Sequence, residues 1–234
     1  MNYRESKADS EEYKKQYLRD IENLIKKQET EAKKKREFYV QGIMEDKEKY
    51  REEFGKMLGW PLTEQRKREL PEVFCEKLSK DEQYCVYRIQ VEVLEDLKVT
   101  GLLIRHCDDE RRPFVITQHG GQGTPELILG LYGNTENYNN MAERILEAGA
   151  NVFAPQLLIW SKEQYGVNFD RQMIDARLKK VGSSITAVEI YAIMRVIDYF
   201  HRQKWVGNIG MAGTCWVIHL NIHRSRPCVA LWCG

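Results

Sequence analysis

Phe114-Val115-Ile116-Thr117-Gln118-His119-Gly120-Gly121-Gln122-Gly123 is the stretch on which the fold turns. Phe114 to Thr117 is a short apolar run, as expected of a strand buried on both faces. The glycines that follow free the backbone to approach a ligand and to aim N–H groups at it. An oxyanion hole needs that geometry, with donors directed where negative charge develops on a tetrahedral intermediate. The plainer alternative is a tight turn closing a strand. A nucleotide loop fits less well, because no Lys follows in the phosphate-loop pattern and the dinucleotide fingerprint is not met.

Upstream, the period of the sequence is two from Tyr84 onward. Cys85, Tyr87, Ile89, Val91 and Val93 alternate with Val86, Arg88, Gln90 and Glu92, which predicts a strand. Leu97 to Arg105 is a second strand, with a turn at Glu95-Asp96. Downstream, Met141 to Ala148 is a helix ended by Gly149, and Asn151 to Pro155 is a buried strand. Ser161 to Val181 is polar and reads as irregular. Ser183 or Ser184 can cap a long helix reaching His201. Its core face would use Ile185, Val188, Ile193, Val196, Ile197 and Phe200. Asn208 to Gly213 is the last regular strand. A hairpin followed by alternating helices and strands predicts an α/β fold with a mixed, mostly parallel sheet flanked by helices.

The last strand runs into Gly213-Thr214-Cys215-Trp216. Gly-x-nucleophile after a strand opens a nucleophile elbow, whose full pattern is G-x-S-x-G. Cys215 stands where Ser is expected, and Val217 stands where the closing glycine is expected, so the elbow is half present. The tail then carries His219, His223, Cys228 and Cys233. His219 and His223 would share a helical face, and with the cysteines they have steps a zinc site could use. No C-x-x-C knuckle accompanies them, and no metal or cofactor is expected.

Residues 114–213 resemble α/β-hydrolases of the dienelactone-hydrolase and acetyl-xylan-esterase-like group. The HGG loop, the Gly133-Asn134-Thr135 turn, Gly149 to Pro155 and the long helix before Gly210 fall in that group's order. The helical lead-in through Met57-Leu58-Gly59-Trp60-Pro61 resembles its bacterial members. The resemblance implies a partial α/β-hydrolase fold and attack on a small carboxylic ester by the side chain at position 215. It places the oxyanion donors at the backbone of Gly121 and Trp216. His119, Gly120, Gln122 and Gly123 complete the loop, and His119 is not the base. The group's order is nucleophile, acid, histidine, and Gly234 comes only nineteen residues after Cys215. The expectation is therefore a chain truncated or frameshifted near Thr214, with no meaningful turnover. Cys215 as a working nucleophile stays open, since dienelactone hydrolases use Cys there.

Residues 4–56 differ in kind. Tyr13, Tyr17, Leu18, Ile21, Leu24 and Ile25 form a narrow apolar stripe on an otherwise charged helix. A second helix is expected over Phe38 to Leu58, stopped by Gly59-Trp60-Pro61. Three parts are thus expected: a helical extension over 1–62, the hydrolase part over 63–213 and an atypical tail over 214–234. Heptads are not sustained, which argues against a long coiled coil. The helices remain candidates for a homo-oligomer contact. The alternative to the enzyme reading is a non-catalytic interaction protein that uses them to bind a partner.

The 234 residues hold 36 Lys and Arg against 35 Asp and Glu. That balance gives no general pull toward nucleic acid or an anionic membrane. Lys33-Lys34-Lys35-Arg36, flanked by Glu29, Glu31 and Glu37, reads as a solvated face. No apolar run approaches the roughly 18 residues of a membrane span, and no export signal opens the chain. A cytoplasmic location, with the six cysteines as thiols, is the expectation.

Overall fold

The computed structural model describes residues 3–65, 68–121, 123–135, 138–158, 167 and 169–213. The chain divides into two compact units, Met1–Arg51 and a second that begins at Glu52.

The first unit is dominated by one helix, α1 (Lys7–Glu45), 39 residues long. Ser6 caps it, its hydroxyl accepting the Asp9 N–H at 3.1 Å. The next helix, α2, covers Lys47–Leu58. The break is at Asp46, eight residues later than the expected start at Phe38. Asp46 leaves helical geometry (φ −139°, ψ 77°), and its carboxylate accepts the Lys49 N–H at 3.1 Å. An acidic N-cap makes this break, with no Gly or Pro to announce it.

The second unit is a six-stranded sheet with helices on both faces. In chain order its elements are β1 (Val73–Lys80), β2 (Tyr84–Leu94), β3 (Leu97–His106), β4 (Arg112–Gln118), α3 (Pro125–Ile128), α4 (Met141–Glu147), β5 (Asn151–Pro155), α5 (Arg171–Lys179), α6 (Ile185–Phe200) and β6 (Val206–Gly213). The strand order is β1-β2-β3-β5-β4-β6. Adjacent strands from β1 to β5 pair antiparallel, while β4 pairs parallel with both β5 and β6. Four of the six strands therefore run one way, with β1 and β3 reversed, which is the mixed α/β sheet expected.

The β2–β3 hairpin turns at Asp96, which takes a left-handed φ of 63°, a conformation its short polar side chain tolerates. Alternation along the strands sorts the core into two layers. Ile89, Leu103, Phe114, Ile116 and Phe153 face α6, where Ile193, Val196, Ile197 and Phe200 cover them. Leu102, Val115, Val152 and Ala154 face α3 and α4, against Leu127, Ile128, Met141 and Leu146. Ser184 caps α6 by accepting the Ala187 N–H at 3.1 Å. Val188 is only half-buried, and Ala187, Ile190 and Tyr191 join the core face instead.

Two elements were not expected. β1 is exposed along almost its whole length, so no burial alternation marks it. α5 lies inside the stretch read as irregular. Asp170 caps it, accepting the Met173 N–H at 2.9 Å, and none of its residues is buried. A helix with no buried face carries no apolar period to find.

A third difference concerns the cysteines. Cys85 and Cys107 form a disulfide, with Cα atoms 5.5 Å apart. Pairing of Tyr84 with His106 brings the residue after β3 across from the start of β2. The separation of 22 residues in sequence hides that proximity.

Candidate active site

The connections on either side of the β4–β5 pair leave on opposite faces of the sheet. From β4 the chain passes through α3 and α4 on one face, and from β5 it reaches α6 on the other. Such a divergence opens a crevice at the carboxyl ends of the two strands, the usual place for a ligand in an open α/β sheet. The loop Gln118 to Gly123 starts there.

His119 organises this loop. It is 1% exposed. Its Nε2 accepts the backbone N–H of Leu157, just beyond β5, at 3.0 Å. Nε2 therefore carries no proton, and Nδ1 must be the protonated nitrogen that donates to Gly120 O at 2.9 Å. Burial holds the imidazole below its ordinary pKa, against smaller raising effects of the Gly120 bond and of Glu126. The ring is a neutral brace between β4 and β5.

Tyr138 holds the other side of the loop. Its hydroxyl accepts the Gly120 N–H at 3.0 Å, and Gly123 N–H closes a turn onto Gly120 O at 3.1 Å. A Cβ on Gly123 would overlap the Tyr138 hydroxyl and come within 2.9 Å of His119 Cβ. Glycine is needed here for closeness of approach. With the N–H groups of Gly120 and Gly123 engaged, that of Gly121 meets no acceptor among the described residues.

The end of β6 lies beside this loop, with Gly213 opposite Gln118 in the ladder. Gln118 is buried, and its Nε2 has no partner among the described residues. Cys215, Trp216 and Gln122 lie outside the described residues, as do the tail residues of the zinc reading, His219, His223, Cys228 and Cys233. The structure thus brings together His119, Gly120, Gly121, Gly123 and the strand that leads to position 215. Among the described residues no cluster of His, Cys, Asp and Glu could hold a metal, and no helix is long and apolar enough to cross a membrane.

The segment after β5 is itself clamped. Glu189 on α6 accepts the Leu158 N–H at 2.9 Å and pairs with Arg171 of α5 at 3.0 Å. Arg171 also donates to Leu158 O. Further back, Leu58 to Pro61 docks on the start of α6. Trp60 N–H donates to Gly182 O at 2.9 Å and Ser184 Oγ to Leu58 O at 2.9 Å. Gly59 (φ 91°) packs against the Gly182 carbonyl. Sequence reasoning missed Tyr138, Arg171 and Glu189, whose partners are distant in the chain.

No protein-family profile matches the chain, and no curated protein matches it. Solved structures do. A candidate acetyl xylan esterase from Bacteroides fragilis superposes with a TM-score of 0.54 at 19% identity, over 62% of this chain and 42% of that one. Acetyl xylan esterase 1 from Thermoanaerobacterium superposes with a TM-score of 0.51 at 11% identity, over 74% of this chain and 51% of that one. The fold is a partial α/β-hydrolase fold. The chain spans about half the length of these neighbours or less.

Proposed function

We propose that this chain carries the oxyanion half of a carboxylic-ester hydrolase. The observation that carries the reading is the Gly121 N–H. It lies at the carboxyl end of β4, without an acceptor among the described residues, on a loop pinned by His119 and Tyr138. The β6 strand that leads to Cys215 ends beside that loop. The order of these parts and the esterase neighbours support the same reading. Acetylated sugars or other small esters are the substrate class.

In this mechanism the position-215 thiolate attacks the ester carbonyl carbon. The oxyanion that forms rests on the N–H groups of Gly121 and Trp216. Collapse expels the alcohol and leaves an acyl-enzyme, and water must then release the acid. The last step needs a base, and neither His119 nor His106 is placed to serve. His119 is committed to Leu157 and Gly120, and His106 pairs with Asn151 at the opposite end of β5. Acylation without turnover is therefore the expectation that the described residues support, with His219 and His223 lying outside them. The division into 1–62, 63–213 and 214–234, and a cytoplasmic location, belong to the same proposal.

The test is p-nitrophenyl acetate, with acetylated peptides read by mass spectrometry. Cys215 is expected to acylate ahead of the exposed Cys75, whose thiol burial pushes up. Gly121→Pro, which deletes the donor, should slow Cys215 acylation about 100-fold. Equal labelling of Cys215 and Cys75, or no effect of Gly121→Pro, would refute the site. Steady hydrolysis lost in Cys215→Ala would refute the absence of turnover.

One observation favours a second reading, a non-catalytic interaction protein. On α1, Tyr13, Tyr17, Leu18, Leu24 and Ile25 are all at least half exposed, an apolar stripe open to a partner or to a second copy. A folded, soluble chain with unlabelled Cys215 that self-associates through this stripe would support that reading over the first.

A further inference from the structure

α1 leaves its apolar stripe without cover. Tyr17, Leu18, Leu24 and Ile25 are at least half exposed, and Ile21 between them is 37% exposed. Steps of three and four place Lys14, Tyr17, Ile21, Leu24, Gln28 and Glu31 on one face of the helix. Leu18 and Ile25 flank that row on one side, Asp20 and Lys27 on the other. The row mixes apolar side chains with charges of both signs.

We propose that α1 pairs antiparallel with α1 of a second copy, about a two-fold axis that crosses the helix between Glu22 and Asn23. The proposal rests on the reading of the stripe as a contact surface and is independent of the chemistry at position 215. In an antiparallel pair, positions that face each other sum to a constant. With this axis Ile21 faces the partner's Leu24, and Tyr17 faces the partner's Gln28. Leu18 meets the partner's Ile25 along one flank. Lys14 meets the partner's Glu31, and Asp20 meets the partner's Lys27 along the other flank. Symmetry makes each contact twice.

The charges select this arrangement. Lys14 and Lys27 have no ion-pair partner among the described residues. Glu31 and Asp20 hold only exposed local contacts, to Lys34 at 3.0 Å and to Gln16 at 2.9 Å. Parallel helices in register would set Lys14 against Lys14 and Lys35 against Lys35. Sliding the antiparallel pair by one heptad sets Asp20 against Asp20 in one direction and Lys27 against Lys27 in the other. Those slips also move Ile21 from Leu24 to Tyr17 or to Glu31. Exposed ion pairs add little strength, but like charges brought face to face exclude the wrong registers.

The contact is small. From Lys14 to Glu31 it runs about 26 Å along the helix, with few apolar layers and a polar one at Tyr17 and Gln28. A surface of that size belongs to the weak, dissociable class. At the low concentrations of a denaturant unfolding experiment the helices stand apart, and they pair when the chain is concentrated.

The test uses the whole chain. Sedimentation equilibrium from roughly 1 to roughly 300 µM reads the assembly state across the range where so small a surface dissociates. Isotopically light and heavy chains are then mixed and treated with a carbodiimide, which joins a carboxylate to an amine only where the two touch. A concentration-dependent dimer is expected, with mixed-isotope links from Lys14 to Glu31 and from Lys27 to Asp20. Lys14 and Glu31 of one helix are about 26 Å apart, so that link cannot form within a chain. Asp20→Lys and Lys27→Asp should each weaken dimerisation about tenfold, and the two together should restore it. A helix damaged by the substitutions would show no such recovery. Mixed-isotope links between other positions, or a double variant that stays monomeric, would overturn the antiparallel pair while leaving the stripe a contact surface. A wild-type monomer at every concentration would overturn the second copy as its occupant and leave the stripe to a different partner.

Discussion

α1 and the β4–β5 pair are both regular secondary structure, but they are stable for opposite reasons. α1 exposes nearly all of its described side chains and is supported by local contacts such as Glu12 with Arg19 at 3.0 Å and Glu31 with Lys34 at 3.0 Å. Exposed pairs of this kind contribute little, from nothing to about 1 kcal/mol. β5 makes no such pairs, and all five of its residues are buried. One element is held by its own sequence and the other by its neighbours, so substitutions in the two should differ in size and in kind.

The largest contrast is in the core. Phe153 is fully buried and stacks against Phe200 at 5.1 Å between ring centroids. Phe153→Ala should cost about 3–5 kcal/mol in denaturant unfolding, from lost burial and the cavity left behind. Leu18→Ala in α1, at 59% exposure, should leave that transition unchanged. A comparable loss from Leu18→Ala would mean that the stripe is covered in solution.

Next in size is the brace of the candidate site. Tyr138→Phe keeps the ring and removes the oxygen that accepts the Gly120 N–H. An unsatisfied buried amide should cost about 1–3 kcal/mol. Hydrogen exchange should locate the loss at Gly120, and unchanged protection there would show that another acceptor takes over.

The fold was legible in the sequence wherever burial imposes a period. Alternation from Tyr84 to Val93 and the apolar run at Phe114 to Thr117 both mark real strands, and Gly149 ends its helix with φ 82°. Legibility failed where an element has no buried face, as in β1 and α5, or where a single polar cap decides, as at Asp46. In the site, the glycines of the loop could be read because closeness of approach demands them. Tyr138 and the Arg171–Glu189 clamp could not, because a bond spanning 18 residues leaves no local pattern. The diagonal between Cys85 and Cys107 is hidden in the same way.

His119 sharpens the comparison through pH. Its folded-state pKa lies below the ordinary 6.5, chiefly because burial disfavours the charged ring. At pH above 6.5 both folded and unfolded chains hold it neutral, and stability does not depend on it. As pH falls below 6.5 the unfolded chain takes a proton that the folded chain refuses, so stability falls by up to about 1.4 kcal/mol per pH unit. The fall continues down to the folded pKa. His119→Gln should abolish this slope just below pH 6.5. A slope that survives the substitution would assign it to other groups.

The smallest effect expected is on α1 itself. Lys34→Ala removes the Glu31 pair on a surface where both side chains are at least half exposed. Alanine is also the better helix former, which offsets part of the lost attraction. The net change in helix content by circular dichroism should be near zero, within roughly 0.3 kcal/mol. A marked loss of helix would show that the charged face of α1 is engaged with something beyond its own turns, and α1 would then be stabilised by a neighbour in the manner of β5.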